Sequence, residues 1–160
     1  MKIGVVSDTH SLLIPPEVIN GLNKMEIIIH AGDFCTVKDV ETFRRLKDFK
    51  GVYGNMDGAD VRKILPRRAI FAIEGVMIGI FHGEGPSEGI LDSVRNACKD
   101  RKLDVIVFGH SHQPFNKMIG DTLYFNPGSP NDLVRAPYRS YGILEIKSGT
   151  VTGKIVKLQG

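Results

Sequence analysis

The sequence predicts an α/β fold in which two β-sheets pack face to face with helices on the outside. Three observations predict it. The first half alternates short apolar runs with amphipathic stretches, the mark of parallel strands joined by helical crossovers. The second half is strand-rich and broken by glycine-containing turns, which argues for partly antiparallel pairing. The candidate buried strands run straight into aspartate, asparagine or histidine, and in α/β sheets the carboxyl ends of neighbouring strands form the usual ligand edge.

Taken in order, "KIGVV" (Lys2–Val6) is a short apolar run suited to a strand buried on both faces. "PPEVINGLNKM" follows, with Pro15 and Pro16 at a helix start. "EIIIH" (Glu26–His30) is a second buried strand. "TVKDVETFRRLKDF" reads as a helix. Thr36 and Asp39 resemble a capping box, and Val40, Phe43 and Leu46 recur at helical spacing. "GVYGN" (Gly51–Asn55) is expected to be a short third strand. "AIFAIEGVMIGIFHG" reads as two strands around a turn at Glu74-Gly75, and "SEGILDSVRNACKDR" as a helix with Ile90, Leu91, Val94 and Cys98 on one side. "LDVIVFGH" is another buried strand. Hairpins are expected at Gly120-Asp121 and Ser148-Gly149, with a further turn at Pro127-Gly128.

With 160 residues, no repeat and no linker, the chain reads as a single domain, residues 1–160. No apolar run approaches the ~20 residues of a membrane span. The apolar start turns polar at Ser7, too early for a signal peptide. Cytoplasmic residence is therefore the expectation, with no membrane partner. Cys35 and Cys98 form no CxxC pair and are expected to be reduced and partly buried. A net charge of +3, without a long basic groove or an aromatic-rich stretch, argues against nucleic acid as a partner.

The polar strand ends carry the chemistry. Asp8 and His10 follow the first strand, Asp33 the second, Asn55 the third, His82 the strand after Glu74-Gly75, and His110 and His112 the run "VIVFG". If these strands are neighbours, two aspartates, one asparagine and four histidines meet at one place. Such a cluster costs free energy unless something pairs with it. No lysine or arginine sits in these segments, whereas bound cations would serve. The i, i+2 spacing of Asp8/His10 and His110/His112 would aim each pair to one side of an extended segment. All seven are oxygen or nitrogen donors, which suits manganese, iron, zinc, cobalt or nickel. Seven ligands are too many for one catalytic ion and about right for two ions that share a carboxylate. Gly32, Gly54, Gly83 and Gly109 flank candidate ligands and would permit close backbone approach.

These residues resemble a known family. "DTH" (Asp8–His10), "GD" (Gly32-Asp33), "GN" (Gly54-Asn55), "HG" (His82-Gly83) and "GHSH" (Gly109–His112) stand in the order of the calcineurin-like metallophosphoesterases. "GNMDG", "NPGS" and the small size are similar to the YfcE-type phosphodiesterase branch. The resemblance spans Met1 to Ile146. It implies a four-layer αββα sandwich and a metal-dependent phosphoesterase, in the first instance a phosphodiesterase, in which a hydroxide bridging two metal ions attacks phosphorus. It implies one ion held by Asp8, His10, Asp33 and His112 and a second by Asp33, Asn55, His82 and His110, with Asp33 as the bridge. The cofactors would be two divalent ions, manganese first, with nickel, iron, zinc or cobalt admitted. Asn55 would also orient a phosphate oxygen, and Asp57 would support that loop, so both are named as catalytic residues.

One position departs from the wider family. Most members carry "GNH", whose histidine assists the leaving group; here Met56 stands there. Phosphodiesters, or esters with acidic leaving alcohols, are therefore expected to react better than alkyl monoesters. The expected partner is a small phosphoester, in a chain that could form a homo-oligomer. The competing class is a non-catalytic binding scaffold of the same fold, similar to a retromer subunit. Outside the cluster, His30 is read as structural. Arg135 and Arg139 are read as either phosphate contacts or a solvated loop, and Arg62, Lys63, Arg67 and Arg68 as a solvated surface. Phe34 and Phe115 fit core packing as well as a pocket.

Overall fold

The computed structural model describes residues 1–159. One sheet contains β1 (Lys2–Val6), β2 (Ile27–His30), β3 (Asp48–Gly51), β9 (Ser140–Lys147) and β10 (Thr150–Lys157), in the order β10-β9-β1-β2-β3. The other contains β4 (Arg68–Ile73), β5 (Val76–Phe81), β6 (Val105–Val107), β7 (Phe115–Ile119) and β8 (Thr122–Asn126), in the order β4-β5-β6-β8-β7. Helices α1 (Pro16–Asn23), α2 (Val37–Leu46) and α3 (Ala59–Ile64) belong to the first half, and α4 (Ile90–Ala97) to the second.

The period-two alternation of the strands builds four layers. Ile3 and Val5 of β1, Ile29 of β2, Ile78 and Ile80 of β5 and Val105 and Val107 of β6 meet Phe125 and Leu144 between the sheets. The opposite faces serve the helices: Val6 and Ile28 pack with Val18, Leu22, Val40 and Phe43, while Ile106 and Phe108 pack with Ile90 and Val94. Each fully buried aliphatic or aromatic side chain stabilises the fold by roughly 1.5–3 kcal/mol. The α/β sandwich flanked by helices is thus the observed architecture.

Both sheets carry three parallel strands at their centre or edge: β1-β2-β3 in one, β5-β6-β8 in the other. Their carboxyl ends face the same rim of the sandwich, which positions the site. The three expected hairpins form, at Glu74-Gly75, Gly120-Asp121 and Ser148-Gly149.

The third strand differs from expectation. It runs over Asp48–Gly51, and the expected segment Gly51–Asn55 overlaps it only at Gly51. α2 stops at Leu46, and Lys47 is extended, so Asp48 and Phe49 leave the expected helix. β3 lies at the sheet's edge, where Asp48 and Lys50 are exposed while Gly51 is buried. An edge strand need not be continuously apolar, and "DFKG" therefore carries no apolar run. Thr36 caps α2 as expected, accepting the Asp39 N–H at 3.3 Å while its hydroxyl donates to the Asp39 carboxylate. The helix expected from Ser87 opens with a 3-10 turn, Ser87–Gly89, before α4. α3 carries no motif that marked it in advance. No helix among the described residues is long and apolar enough to cross a membrane.

Candidate metal centre

The loops after β1, β2, β3, β5 and β6 bring the predicted residues to one rim. Asp8, Asp33, His82 and His112 are buried, His10 and His110 half-buried, and Asn55 exposed at the mouth. Three imidazoles surround the Asp8 Oδ1 atom: His112 Nε2 at 3.4 Å, His10 Nε2 at 3.7 Å and His82 Nε2 at 3.7 Å. Asp33 Oδ2 lies 3.2 Å from His82 Nε2 and 3.7 Å from His10 Nε2. Two groups of donors are close enough to share an ion: Asp8, His10 and His112, and Asp8, Asp33 and His82. Asp8 belongs to both groups and Asp33, expected as the shared carboxylate, to one; Asp33 Oδ2 lies between His10 and His82. Asn55 Oδ1 lies 3.0 Å from His82 Nε2 and 3.1 Å from His110 Nδ1. His110 stands furthest from the carboxylates, its Nε2 donating to the Gly85 carbonyl at 2.6 Å.

The backbone reaches this arrangement in an unexpected way. Asp8, His10, Asp33, His110 and His112 all have positive φ, between 49° and 70°. They are five of nine such non-glycine residues among those described. Each such residue costs free energy and persists where the surroundings hold it. The i, i+2 pairs therefore converge from left-handed turns past the strand ends, not from the extended geometry expected of them. The glycines fit the crowding. A Cβ on Gly54 would overlap the Asp33 carboxylate, and one on Gly109 would overlap Ser7 Oγ and the Asp8 carboxylate.

Hydrogen bonds fix the donors. Asp8 Oδ2 accepts from Ser7 Oγ at 2.8 Å and from the His110 N–H at 3.1 Å. Asp33 Oδ1 accepts the Met56 N–H at 2.8 Å. His82 Nδ1–H donates to the Ala31 carbonyl at 2.7 Å, which leaves Nε2 aimed at the carboxylates. His112 Nδ1–H donates to Asp132 at 2.6 Å with the same effect. Asp57 does not face the cluster. Its buried carboxylate accepts the Asp33 and Gly54 N–H groups on Oδ2 and the Cys35 N–H on Oδ1, at 2.7–2.9 Å, and so ties the Asp33 loop to the Gly54-Asn55 loop.

The electrostatics follow from the gathering of unlike groups. Burial works against the Asp8 carboxylate, but His82, His10 and His112 hold it well below the usual range. Burial likewise opposes charge on His82 and His112, yet the facing carboxylates of Asp8, Asp33 and Asp132 raise both to about 9. Asp132 falls to about 2, because the Arg135 and Val134 N–H groups and His112 outweigh its burial. The residues fit divalent cations. Asp8 Oδ1 is buried without a hydrogen-bond partner, and the Nε2 atoms of three imidazoles face it at separations that two ligands of one ion can take. Two positive charges there would meet two buried carboxylates directly.

Sequence reasoning missed Asp132. It lies in the loop after β8; the available signal is a carboxylate in a Pro/Gly/Asn turn that closes on the rim of the cluster. Arg135 lines the cavity of the cluster, whereas Arg139 lines another and bonds to the Gln159 carbonyl. Arg62 bonds to the Asp57 carbonyl, Arg67 to Glu84 and Arg68 to Asp100. His30 and Phe34 are buried and stacked, and Phe115 packs near Phe108.

Residues 1–149 match the model of the calcineurin-like phosphoesterase superfamily domain. The chain belongs to that superfamily. A probable metallophosphoesterase of Methanothermobacter thermautotrophicus is 33% identical to this phosphoesterase domain, covering 98% of this chain and 92% of its own. A phosphodiesterase of Methanocaldococcus jannaschii is 30% identical over 80% of this chain and 83% of its own. Among solved structures, a Vps29 mutant from Entamoeba histolytica superposes with a TM-score of 0.78 over 99% of this chain and 100% of its own. At 23% identity that likeness shows the fold. The family inferred from five ordered motifs is the family found.

Proposed function

We propose that this phosphoesterase hydrolyses phosphodiesters with the help of two divalent cations, manganese first among them. The observation that carries the reading is the buried, unpartnered Asp8 Oδ1 facing the Nε2 atoms of His10, His82 and His112. The phosphodiesterase relative supports the substrate class. By the family's pattern, Asp8, His10, Asp33 and His112 would hold one cation, and Asp33, Asn55, His82 and His110 the other. When bound, such ions supply Lewis acidity: they neutralise phosphoryl charge and make water nucleophilic near neutral pH.

The chain's own residues do the rest. Asn55, exposed beside His82 and His110, orients a phosphoryl oxygen. Asp57 holds the Asn55 loop against the Asp33 loop through three backbone N–H groups, and acts as a positioning residue. Arg135, on the cavity wall, matches one phosphate charge. Water releases one proton to solvent and its oxygen bonds to phosphorus, the P–O bond to one ester arm breaks, and the bonding pair leaves on that arm's oxygen. Met56 offers that oxygen no proton, so arms that leave as stable anions are favoured.

The test is metal-stripped protein supplied in turn with manganese, nickel, iron, zinc or cobalt and assayed on bis(4-nitrophenyl) phosphate. Turnover that appears with metal and disappears with chelator is expected. Failure with every ion overturns the reading, and tight metal binding without turnover favours the scaffold class instead.

A further inference from the structure

The cavity holding the cluster has a volume of about 610 Å³, the size of a small-molecule site. Its floor is the ligand set, and one wall is apolar. Leu12, Met56, Leu133 and Val134 line it and stand 55%, 57%, 73% and 91% exposed. They are four of the seven large apolar side chains that stand exposed among the described residues. Scattered exposed apolar residues need no explanation, but a group gathered at one cavity does. They come from three separate segments, after β1, after β3 and after β8, so the wall curves around the ligands.

This wall is braced. Ser129 Oγ donates to the Asp8 carbonyl at 2.9 Å, and Asn131 Nδ2 to the Thr9 carbonyl at 2.8 Å. Asp132 Oδ1 accepts the N–H groups of Val134 and Arg135 at 2.8 and 2.9 Å, while its Oδ2 holds His112. The backbone that carries Leu133 and Val134 is therefore tied to the ligand loops, and an occupant need not order it. Charge on this side is sparse. Arg135 is the one Lys or Arg lining the cavity among the described residues, enough for a single phosphodiester charge and too little for a polyphosphate.

We propose that this wall is a subsite for an apolar ester arm of aromatic size, so that the preferred substrates are phosphodiesters bearing aryl or similarly apolar alcohols. The proposal rests on the phosphodiesterase reading and names its substrate class. Met56 joins the two lines of argument. It supplies no proton, which favours a phenol-like leaving oxygen, and its soft thioether side chain suits contact with an arene.

The test compares dibenzyl phosphate with dimethyl phosphate by calorimetric titration of the manganese-loaded protein. The two have the same charge and slow alkyl leaving groups. Burial of roughly 60 Å² of arene gives an expected preference of about tenfold for dibenzyl phosphate. In the double variant L133S/V134S, whose side chains are too exposed to support the core, the ratio falls to about one and KM for bis(4-nitrophenyl) phosphate rises more than kcat falls. Equal binding of the two phosphates by a wild type that still hydrolyses bis(4-nitrophenyl) phosphate sinks the subsite and leaves the phosphodiesterase. No turnover with any divalent ion removes the phosphodiesterase reading and the subsite with it. A wild-type dimer that the double variant dissociates makes the wall a self-association surface and overturns the proposal.

Discussion

Two buried neighbourhoods at the ends of β1 and β2 both hold imidazoles, and they differ in almost every other respect. In one, the His30 ring stacks on Phe34 with centroids 3.6 Å apart and meets the edge of Phe43 at 5.0 Å. Its Nδ1 accepts the Gly32 N–H, and its Nε2–H donates to Thr9 Oγ1, both at 3.0 Å. Burial holds it well below its usual pKa, with Asp8 pulling the other way. Every polar atom of that ring is satisfied and neutral. In the other, His82 Nε2 stands 3.2 Å from Asp33 Oδ2 and 3.7 Å from Asp8 Oδ1, and His112 Nε2 stands 3.4 Å from Asp8 Oδ1. Burial alone therefore does not mark a functional histidine. What sets the second neighbourhood apart is a buried carboxylate oxygen, Asp8 Oδ1, that faces three imidazoles without a hydrogen-bond partner.

The comparison breaks first at activity. Asp33→Asn or His82→Ala is expected to lower turnover of bis(4-nitrophenyl) phosphate by about 10³ or more, because each removes charge or a donor from a preorganised site. His30→Gln, on the aromatic side, is expected to leave turnover within a few-fold. Steady-state kinetics with added metal checks both, and near-normal activity in His82→Ala would place the chemistry elsewhere.

Metal removal separates the two neighbourhoods by stability. A divalent ion at 100 times its Kd stabilises the fold by about 2.7 kcal/mol, which for a chain of this size raises Tm by roughly 5–10 °C. Wild type and His30→Gln are expected to show that shift in a melting experiment with and without chelator, and Asp8→Asn to lose most of it. A smaller effect is expected at the edge of the basin. Asp132→Asn keeps a hydrogen-bond partner for His112 but removes the negative charge, and weakens manganese binding about 10- to 100-fold in a calorimetric titration. An unchanged affinity would make Asp132 a loop brace only.

Much of this contrast was legible in the chain. The five motifs sit at strand ends, and strand ends in α/β sheets converge, so the sequence alone gathers Asp8, His10, Asp33, His82 and His112. Short-range pattern also fixed the hairpins, because Glu74-Gly75, Gly120-Asp121 and Ser148-Gly149 require turns that few other residues make. β3 was misplaced because an edge strand alternates with solvent and reads as the tail of an amphipathic helix. The left-handed conformations of Asp8, His10, Asp33, His110 and His112 were invisible because tertiary contacts impose them against local preference. Asp132 and the apolar wall were missed for a related reason. Their meaning depends on which loop folds over the rim, and that is set by Ser129 and Asn131 reaching residues more than a hundred positions away.

The finest test of the contrast is acid stability. His30 is neutral in the folded state and held below its usual pKa, whereas in the unfolded chain it titrates near 6.5. Above that pH neither state carries the proton, and the full stability is present. As pH falls below it, the unfolded state gains a proton that the folded state refuses. Stability then declines, at a limiting slope of about 1.4 kcal/mol per pH unit. The histidines facing Asp8 and Asp33 have the opposite sign, so absolute melting curves mix the two. The difference between wild type and His30→Gln isolates one, since glutamine can accept from Gly32 and donate to Thr9 without titrating. Wild type is expected to be the more stable at pH 7.5, where its ring stacks on Phe34. That advantage is expected to shrink steadily toward pH 5.5. An advantage that stayed constant, or grew in acid, would mean that His30 carries a proton in the folded protein and belongs with the basin after all.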